Sequence, residues 1–336
     1  MSMRVLKPGP LSSLQDLGRH GYQRFGVIVG GVMDEWSHRV ANLLVGNAPQ
    51  EATLEITLMG PSLVFEQAAL IAIAGADLSP RIGEAPVPQG VPVLVRAGSQ
   101  LDFGRRVAGC RTYLAVHGGY PVAPVMGSRS TYLRAGFGGF EGRALRKGDL
   151  VPVGDGDPRS VFPALAKRLD ADAAAFAAFR AGEFEPVVQP DRTRERIRIV
   201  AGQQWDAFTD EAHARFLGSG FRVNANSDRM GYRLDGPGLA LRAPLEMISE
   251  GVAFGTVQVP PDGNPIVLMA DRQTAGGYPK IAAVASVDLP LIAQAVPQQE
   301  LRFERIGLDD AQRVYIEREH GIDRIRRSIE TLKGVR

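Results

Sequence analysis

The chain of 336 residues has one cysteine, Cys110. An internal disulfide is thereby excluded, and a reducing, cytoplasmic location is the expectation. An excess of charge of one sign is also missing. The 39 Lys and Arg nearly balance the 37 Asp and Glu, for a net +2, so electrostatics asks for no nucleic-acid partner. Long hydrophobic runs are missing: stretches such as ALIAIAGA at 69–76 fall far short of the ~20 residues that span a bilayer. The opening MSMRVLKPGPLSSLQDLGR lacks the apolar core of a signal peptide, and no membrane association is expected. The five histidines, His20, His38, His117, His213 and His320, form no HxH or HxxxH pair, so no metal site is expected. There is no GxxxxGK[ST] phosphate loop, no GxSxG elbow and no amidase lysine–serine pattern, which removes the simplest hydrolase readings.

Glycine and proline, by contrast, are frequent, at 39 and 23. They bound short apolar runs at 54–65, 69–76, 92–98, 112–119, 196–202, 255–260 and 265–270, a pattern of strands in barrels or sandwiches. No GxGxxG motif opens a helix, which argues against a doubly wound dinucleotide fold. Helical signals are few. Asp34 caps a predicted helix over 34–47 with Trp36, Val40, Leu43 and Leu44 on one side and Gly46 as the stop. An Ala-rich helix is predicted over 163–182, and a third runs from Asp309 through Ile322, Ile325, Ile329 and Leu332. Polar, Pro-containing 183–195 reads as a linker. A faint internal echo, GPSLVF at 60–65 against GPGLAL at 236–241, suggests two halves of related β-architecture.

Candidate chemistry lies where polar residues cluster beside glycine. Arg129, flanked by Ser128, Ser130 and Thr131, either binds a carboxylate or phosphate through its planar fork or braces a turn. In VNANSDRMGYRLD (223–235), Ser227, Asp228 and Arg229 are either the wall of a site or a turn in which Asp228 and Arg229 pair. ADRQTAGGYPKIA (270–282) concentrates Asp271, Arg272, Gln273 and Thr274 after an apolar run, a loop whose donors and acceptors must be met internally, by water or by a ligand. Gln258 sits inside an apolar run and either faces an edge or points into a pocket, the pocket being the expectation. Glu55 alternates with Leu54 and Ile56 and is expected to face solvent or a groove. Cys110 reads as a buried thiol.

GVMDEWSHRVANLLVGN, LEITLMGPSLVF, YLAVHGGY, MGSRST, NSDRMGYRLDGP, GTVQVPPDGNPIVLMADRQTAGGYP and DLPLIAQ together resemble one family, collinear from about residue 8 to 306. It is the carboxyltransferase-related family that contains the C component of bacterial 5-oxoprolinase, the so-called allophanate hydrolase subunit 2 proteins, the KipA antagonist and part of urea carboxylase. The resemblance implies a mainly β chain with a few helices, built as two cyclophilin-like β-barrel domains. The expected division is 1–190, with a helical insertion near 163–182, then 191–308, then a helical tail at 309–336. It further implies two partners supplied as separate chains, the A component and the KipI-like B component of the same complex. ATP would be used by the complex, and a small anionic amide or lactam substrate would be opened by hydrolysis. Alternatives within the family are a carboxyltransferase component receiving carboxybiotin from another chain and a non-catalytic KipA-like regulator. No biotinyl segment is present here.

The positions matching the family's polar signature are Asp34, Asn42, Glu55, Ser128, Arg129, Ser227, Asp228, Arg229, Gln258, Asp271, Gln273, Thr274 and Tyr278. Asp228, Arg229 and Asp271 are the expected catalytic residues. Arg129, Ser128, Ser227, Gln258, Gln273, Thr274, Tyr278 and Glu55 are the expected substrate-binding ones. Arg129 or Arg229 would hold a carboxylate, Gln258 or Gln273 a lactam, and Asp228 or Asp271 would move a proton. Val32, Gln203 and Ala275 depart from the usual pattern, the last removing a hydroxyl from the 270–282 loop.

Overall fold

The computed structural model describes residues 1–154, 156–179, 183 and 196–333. The chain is mainly β, with six α-helices among the described residues: Glu35–Leu44, Pro158–Val161, Pro163–Ala171, Asp210–Gly218, Leu289–Ala293 and Leu308–Leu332. It divides into two compact units. The first comprises 1–19, 34–188 and 320–336, the second 20–33 and 189–319. This differs from the expected division in two places: residues 20–33 go with the second unit, and the division falls inside the last helix. The expected linker at 183–195 lies, apart from Glu183, outside the described residues.

In the first unit two six-stranded sheets share one core of Leu54, Ile56, Leu63, Phe65, Ile71, Ile73, Leu114 and Val116. Ala69–Asp77 lies at the middle of one sheet, between Val93–Val95 and Ala108–Val116. Its near-continuous apolar sequence is what a strand buried on both faces needs. Gly75 (φ +112) sits where a Cβ would come within 2.5 Å of the Arg111 carbonyl, beside a register shift between Ala108 and Thr112. Only glycine fits there. The helix Glu35–Leu44 packs on Ala69–Asp77 and Ala108–Val116. Asp34 is its N-cap, accepting from Ser37 N (3.0 Å) and Ser37 Oγ (2.7 Å), a contribution of about 1 kcal/mol.

The predicted helix over 163–182 ends at Ala171. Asp172 is extended, and Phe176–Ala178 forms a strand antiparallel to Val93–Val95. Alanine's helix preference is small beside the hydrogen bonds an edge of the sheet offers. The echo also separates: Ser62–Phe65 is a strand, whereas 236–241 contributes only an isolated bridge from Leu241 to Phe208.

The second unit is built on one eight-stranded sheet. Its order runs Glu300–Leu301, Phe221–Val223, Gly231–Asp235, Ile266–Leu268, Thr256–Gln258, Lys280–Val284, Ile197–Ala201, Phe303–Arg305. The two end strands are separated in the chain by Arg302 alone, so the sheet must curl until its edges nearly meet, a nearly closed barrel. Ile199, Val257, Val267, Ile281 and the stacked Phe216 and Phe303 (centroids 4.8 Å apart) fill it. A two-stranded ribbon pairs Glu250–Gly251 with Ala275–Gly276. No helix among the described residues is long and apolar enough to cross a membrane.

Candidate functional site

Most of the expected site residues fall in the second unit, on three neighbouring segments: the turn 224–231, the strand Thr256–Gln258 and the loop 271–280. The turn answers for its own polar residues. Asn224 N donates to the Arg233 carbonyl (2.9 Å), and Asp228 Oδ1 accepts from Met230 N (2.8 Å) and Gly231 N (3.2 Å). Ser227 Oγ accepts from Arg233 N (3.1 Å). Asp228 is exposed. Ser227 and Asp228 thus shape the hairpin, in the manner of side chains that mimic a backbone turn.

Arg229 turns inward. Its partner is Asp271 and not Asp228: Nε donates to Oδ2 at 2.9 Å and Nη2 to Oδ1 at 3.0 Å, with both side chains buried. Nη2 also donates to the Gly31 carbonyl, and Asp271 N donates back to the Arg229 carbonyl at 2.8 Å. This two-pronged fork ties the start of the 271–280 loop to the hairpin and to the segment 20–33. Arg272 is buried beside it, over the Phe254 ring (5.7 Å), its guanidinium pKa pushed down by burial.

Beyond the fork the loop exposes functional groups. Gln273 and Thr274 are half-buried, Tyr278 is exposed, and none of their side chains has a partner among the described residues. Gln258 is 1% exposed. Its Nε2 donates to the Tyr278 carbonyl at 3.4 Å, and its Oε1 accepts from no described residue. Gly276 leaves room for that amide: a Cβ there would lie 2.6 Å from Nε2. Directly across the strand pair from Gln258 stands Lys280, on the same face. Its buried Nζ meets Glu250 Oε2 at 2.6 Å. Lys280 and Glu250 were absent from the expected residues. Lys280 is legible as the first residue after the Gly-Gly-Tyr-Pro turn, but its pairing across 30 residues depends on the short ribbon at 250–251.

Ser128, Arg129 and Glu55 belong to the first unit. Asp16 organises the loop around Arg129: its carboxylate accepts from Ser128 Oγ (2.7 Å), Ser130 Oγ (2.6 Å), Gly18 N (2.8 Å) and Arg129 N (2.5 Å). Burial opposes ionisation, but these bonds together hold the Asp16 pKa below the usual range. Arg129 Nε donates to the Val122 carbonyl (3.1 Å) and Nη1 reaches Glu51 (3.3 Å), so its side chain braces the loop while staying half-exposed. Asn42 ties the end of its helix to the Glu51 carbonyl (2.7 Å).

Glu55 does not face solvent. It lies on the sheet face opposite Leu54 and Ile56, as alternation requires, but the helix Glu35–Leu44 covers that side and leaves it 2% exposed. Tyr113 OH donates to Glu55 Oε2 (2.8 Å) and accepts from Asp34 N (2.8 Å), and Arg111 Nε lies 3.8 Å from Oε1. Burial and the Glu55 charge push the Tyr113 pKa well up. Beside them His38 Nδ1 meets Thr53 Oγ1 at 2.8 Å. Cys110 is a buried thiol whose Sγ accepts from Arg111 Nη1 at 3.6 Å. Among the described residues no group of three or more His, Cys, Asp or Glu is placed to hold a metal ion.

Residues 25–305 match the family model described as carboxyltransferase domain, subdomain A and B. The C subunit of 5-oxoprolinase from Haemophilus influenzae is 37% identical over 320 residues, 95% of this chain and 96% of that one. The protein of the same name from Escherichia coli is 36% identical over 309 residues, 92% and 93% of the two chains. The crystal structure of Kluyveromyces lactis urea carboxylase superposes with a TM-score of 0.82 at 30% identity. That match covers 96% of this chain but 29% of the other, so the chain spans less than a third of urea carboxylase.

Proposed function

Because the chain belongs to the family of carboxyltransferase subdomains A and B, we propose that it is the C component of an ATP-dependent 5-oxoprolinase. With separate A and KipI-like B components it would open the lactam of 5-oxoproline to L-glutamate. The observation that carries this reading is likeness along whole chains: both relatives named as 5-oxoprolinase C components are matched end to end at 36–37% identity. In urea carboxylase the matching region is one part of a far longer chain.

The second unit supplies chemistry suited to that substrate. The amides of Gln258 and Gln273 and the hydroxyls of Thr274 and Tyr278 can meet a lactam carbonyl and N–H. The Arg229–Asp271 fork is the positioning element that holds their loop. We assign ATP to the complex as a co-substrate and to no residue of this chain. Hydrolysis adds water to the lactam carbon, breaks the C–N bond and protonates the departing nitrogen, and the chain's part is to bind and orient the lactam for that step.

A second reading is favoured by the TM-score of 0.82 to urea carboxylase over 96% of the chain: a carboxyltransferase component that receives carboxybiotin from another protein. One experiment separates them. The chain is mixed with its own A and B components, 5-oxoproline and ATP, each component is omitted in turn, and glutamate and ADP are measured. Glutamate that requires this chain is the expected result. An assembled complex that makes none, while taking up a carboxyl group from carboxylated biotin, would replace the first reading with the second.

A further inference from the structure

The contact between Lys280 and Glu250 is lopsided. Lys280 is 8% exposed in its side chain and Glu250 50%. The ammonium is anchored in the eight-stranded sheet, at the start of Lys280–Val284. The carboxylate comes from an exposed segment, 242–250, in which Ile248 is 87% exposed and which joins the unit through the two-residue ribbon at Glu250–Gly251. Glu250 is the one partner of Nζ among the described residues. A buried ammonium needs an anion, since an unpaired one is costly to keep out of water. It does not need that particular anion.

Gln258 completes the picture. It faces Lys280 directly across the strand pair, it is buried, and its Oε1 is an acceptor with no donor among the described residues. A cation and an open acceptor carried on opposed residues of one strand pair match a carboxylate and an N–H carried on one small molecule. We propose that Lys280 and Gln258 form a subsite for an α-carboxylated amide or lactam, and that Glu250 is an internal carboxylate which fills it until the ligand displaces it. The ligand's carboxylate takes the place of Glu250 on Nζ, and its amide N–H donates to Gln258 Oε1. In 5-oxoproline the ring N–H and the carboxylate are attached to the same carbon, so the two contacts are made at once. The inference rests on the proposed function for the identity of the lactam. The pairing of Lys280 with a removable carboxylate stands without it.

Binding to the full chain is measured by calorimetry and thermal shift with three probes: 5-oxoproline, 2-pyrrolidinone, which lacks the carboxylate, and acetate, which lacks the lactam. Glu250→Ala removes the competitor and is expected to bind 5-oxoproline about tenfold tighter than the wild type, with 2-pyrrolidinone unchanged. Lys280→Met should abolish the gain, and Lys280→Arg, which keeps the charge, should retain binding within severalfold and checks that loss in the Met variant is not misfolding. Hydrogen exchange in 242–251 should accelerate when 5-oxoproline is added to the wild type, because the latch is released. Equal affinity in Glu250→Ala and the wild type, or undiminished binding in Lys280→Met, would overturn the subsite. If acetate stabilises Glu250→Ala but not Lys280→Met while 5-oxoproline binds no variant, the latch stands and the oxoprolinase reading falls.

Discussion

Consider His38→Gln. His38 is a fully buried residue of the helix Glu35–Leu44, with Nδ1 on Thr53 Oγ1 and its ring edge-on to Tyr113 at 6.3 Å. Burial dominates its titration. The charges of Asp16 and Glu55 and the Pro49 carbonyl pull the pKa up and Arg39 pushes it down, yet the result is about 4, against 6.5 for a free imidazole. The folded chain therefore holds a neutral ring, and the unfolded chain binds the extra proton between these values. His38 costs no stability above pH 6.5 and progressively more as the pH falls towards 4. The whole interval is worth about 3 kcal/mol, and most of it is lost by pH 4.5. Glutamine can keep the Thr53 contact but does not titrate. Urea unfolding of both proteins at pH 7.5, 5.5 and 4.5 isolates the effect, because other groups titrate alike in both and cancel in the difference. The wild type should lose about 2–3 kcal/mol relative to the variant between pH 7.5 and 4.5. A difference that stays constant with pH would mean that the ring is solvated, and the argument would fail.

Asp271→Ala strands the Arg229 guanidinium without its carboxylate and should destabilise the chain by about 3–5 kcal/mol, whereas Arg229→Met with Asp271→Leu should recover much of that. A denaturation double-mutant cycle with a coupling below about 1 kcal/mol would contradict the fork. Gly276→Ala drives a methyl against the Gln258 amide, a side chain able to move, so stability should change by about 1 kcal/mol or less while glutamate formation by the reconstituted complex falls at least about tenfold. Unchanged turnover would remove Gln258 from the site. Asp16→Asn replaces an acceptor of four hydrogen bonds and should cost roughly 3 kcal/mol at pH 7. Because the folded pKa of Asp16 is lowered, its stabilisation is present above the unfolded carboxylate pKa and lost as pH falls through the folded value. The gap between wild type and Asp16→Asn should thus be flat from pH 5 to 8 and close only in stronger acid, as followed by thermal unfolding.

Much of the architecture was legible because its cues are local. Gly- and Pro-bounded apolar runs became strands, among them Ala69–Asp77 and Ile197–Ala201, and Asp34 caps its helix through its own side chain. The failures have a common cause in partners distant along the chain. Phe176–Ala178 is a strand because Val93–Val95 offers an edge. Alternation gave the side of the sheet for Glu55, but not the helix lying over it. In NSDRMG, three adjacent polar residues have two fates, since Ser227 and Asp228 serve the hairpin while Arg229 reaches Asp271, 42 residues on. Lys280 follows a legible turn, but only the ribbon that carries Glu250 supplies its partner.

The order of strands in the second unit also constrains how the chain acquires its structure as it is made. Ile197–Ala201 is bordered on one side by Phe303–Arg305, in parallel register with Ile197 opposite Phe303. One seam of the barrel therefore waits until about a hundred further residues have left the ribosome. Residues 20–33 belong to the same unit and emerge earlier still. The first unit waits even longer, for the helix turns that bury Ile322, Ile325 and Ile329. The second unit cannot close its sheet before Phe303–Arg305 is made, so one edge of Ile197–Ala201 stays unpaired while about a hundred further residues are added. Pairings of such long sequence separation form slowly and leave apolar edges open to aggregation while they wait.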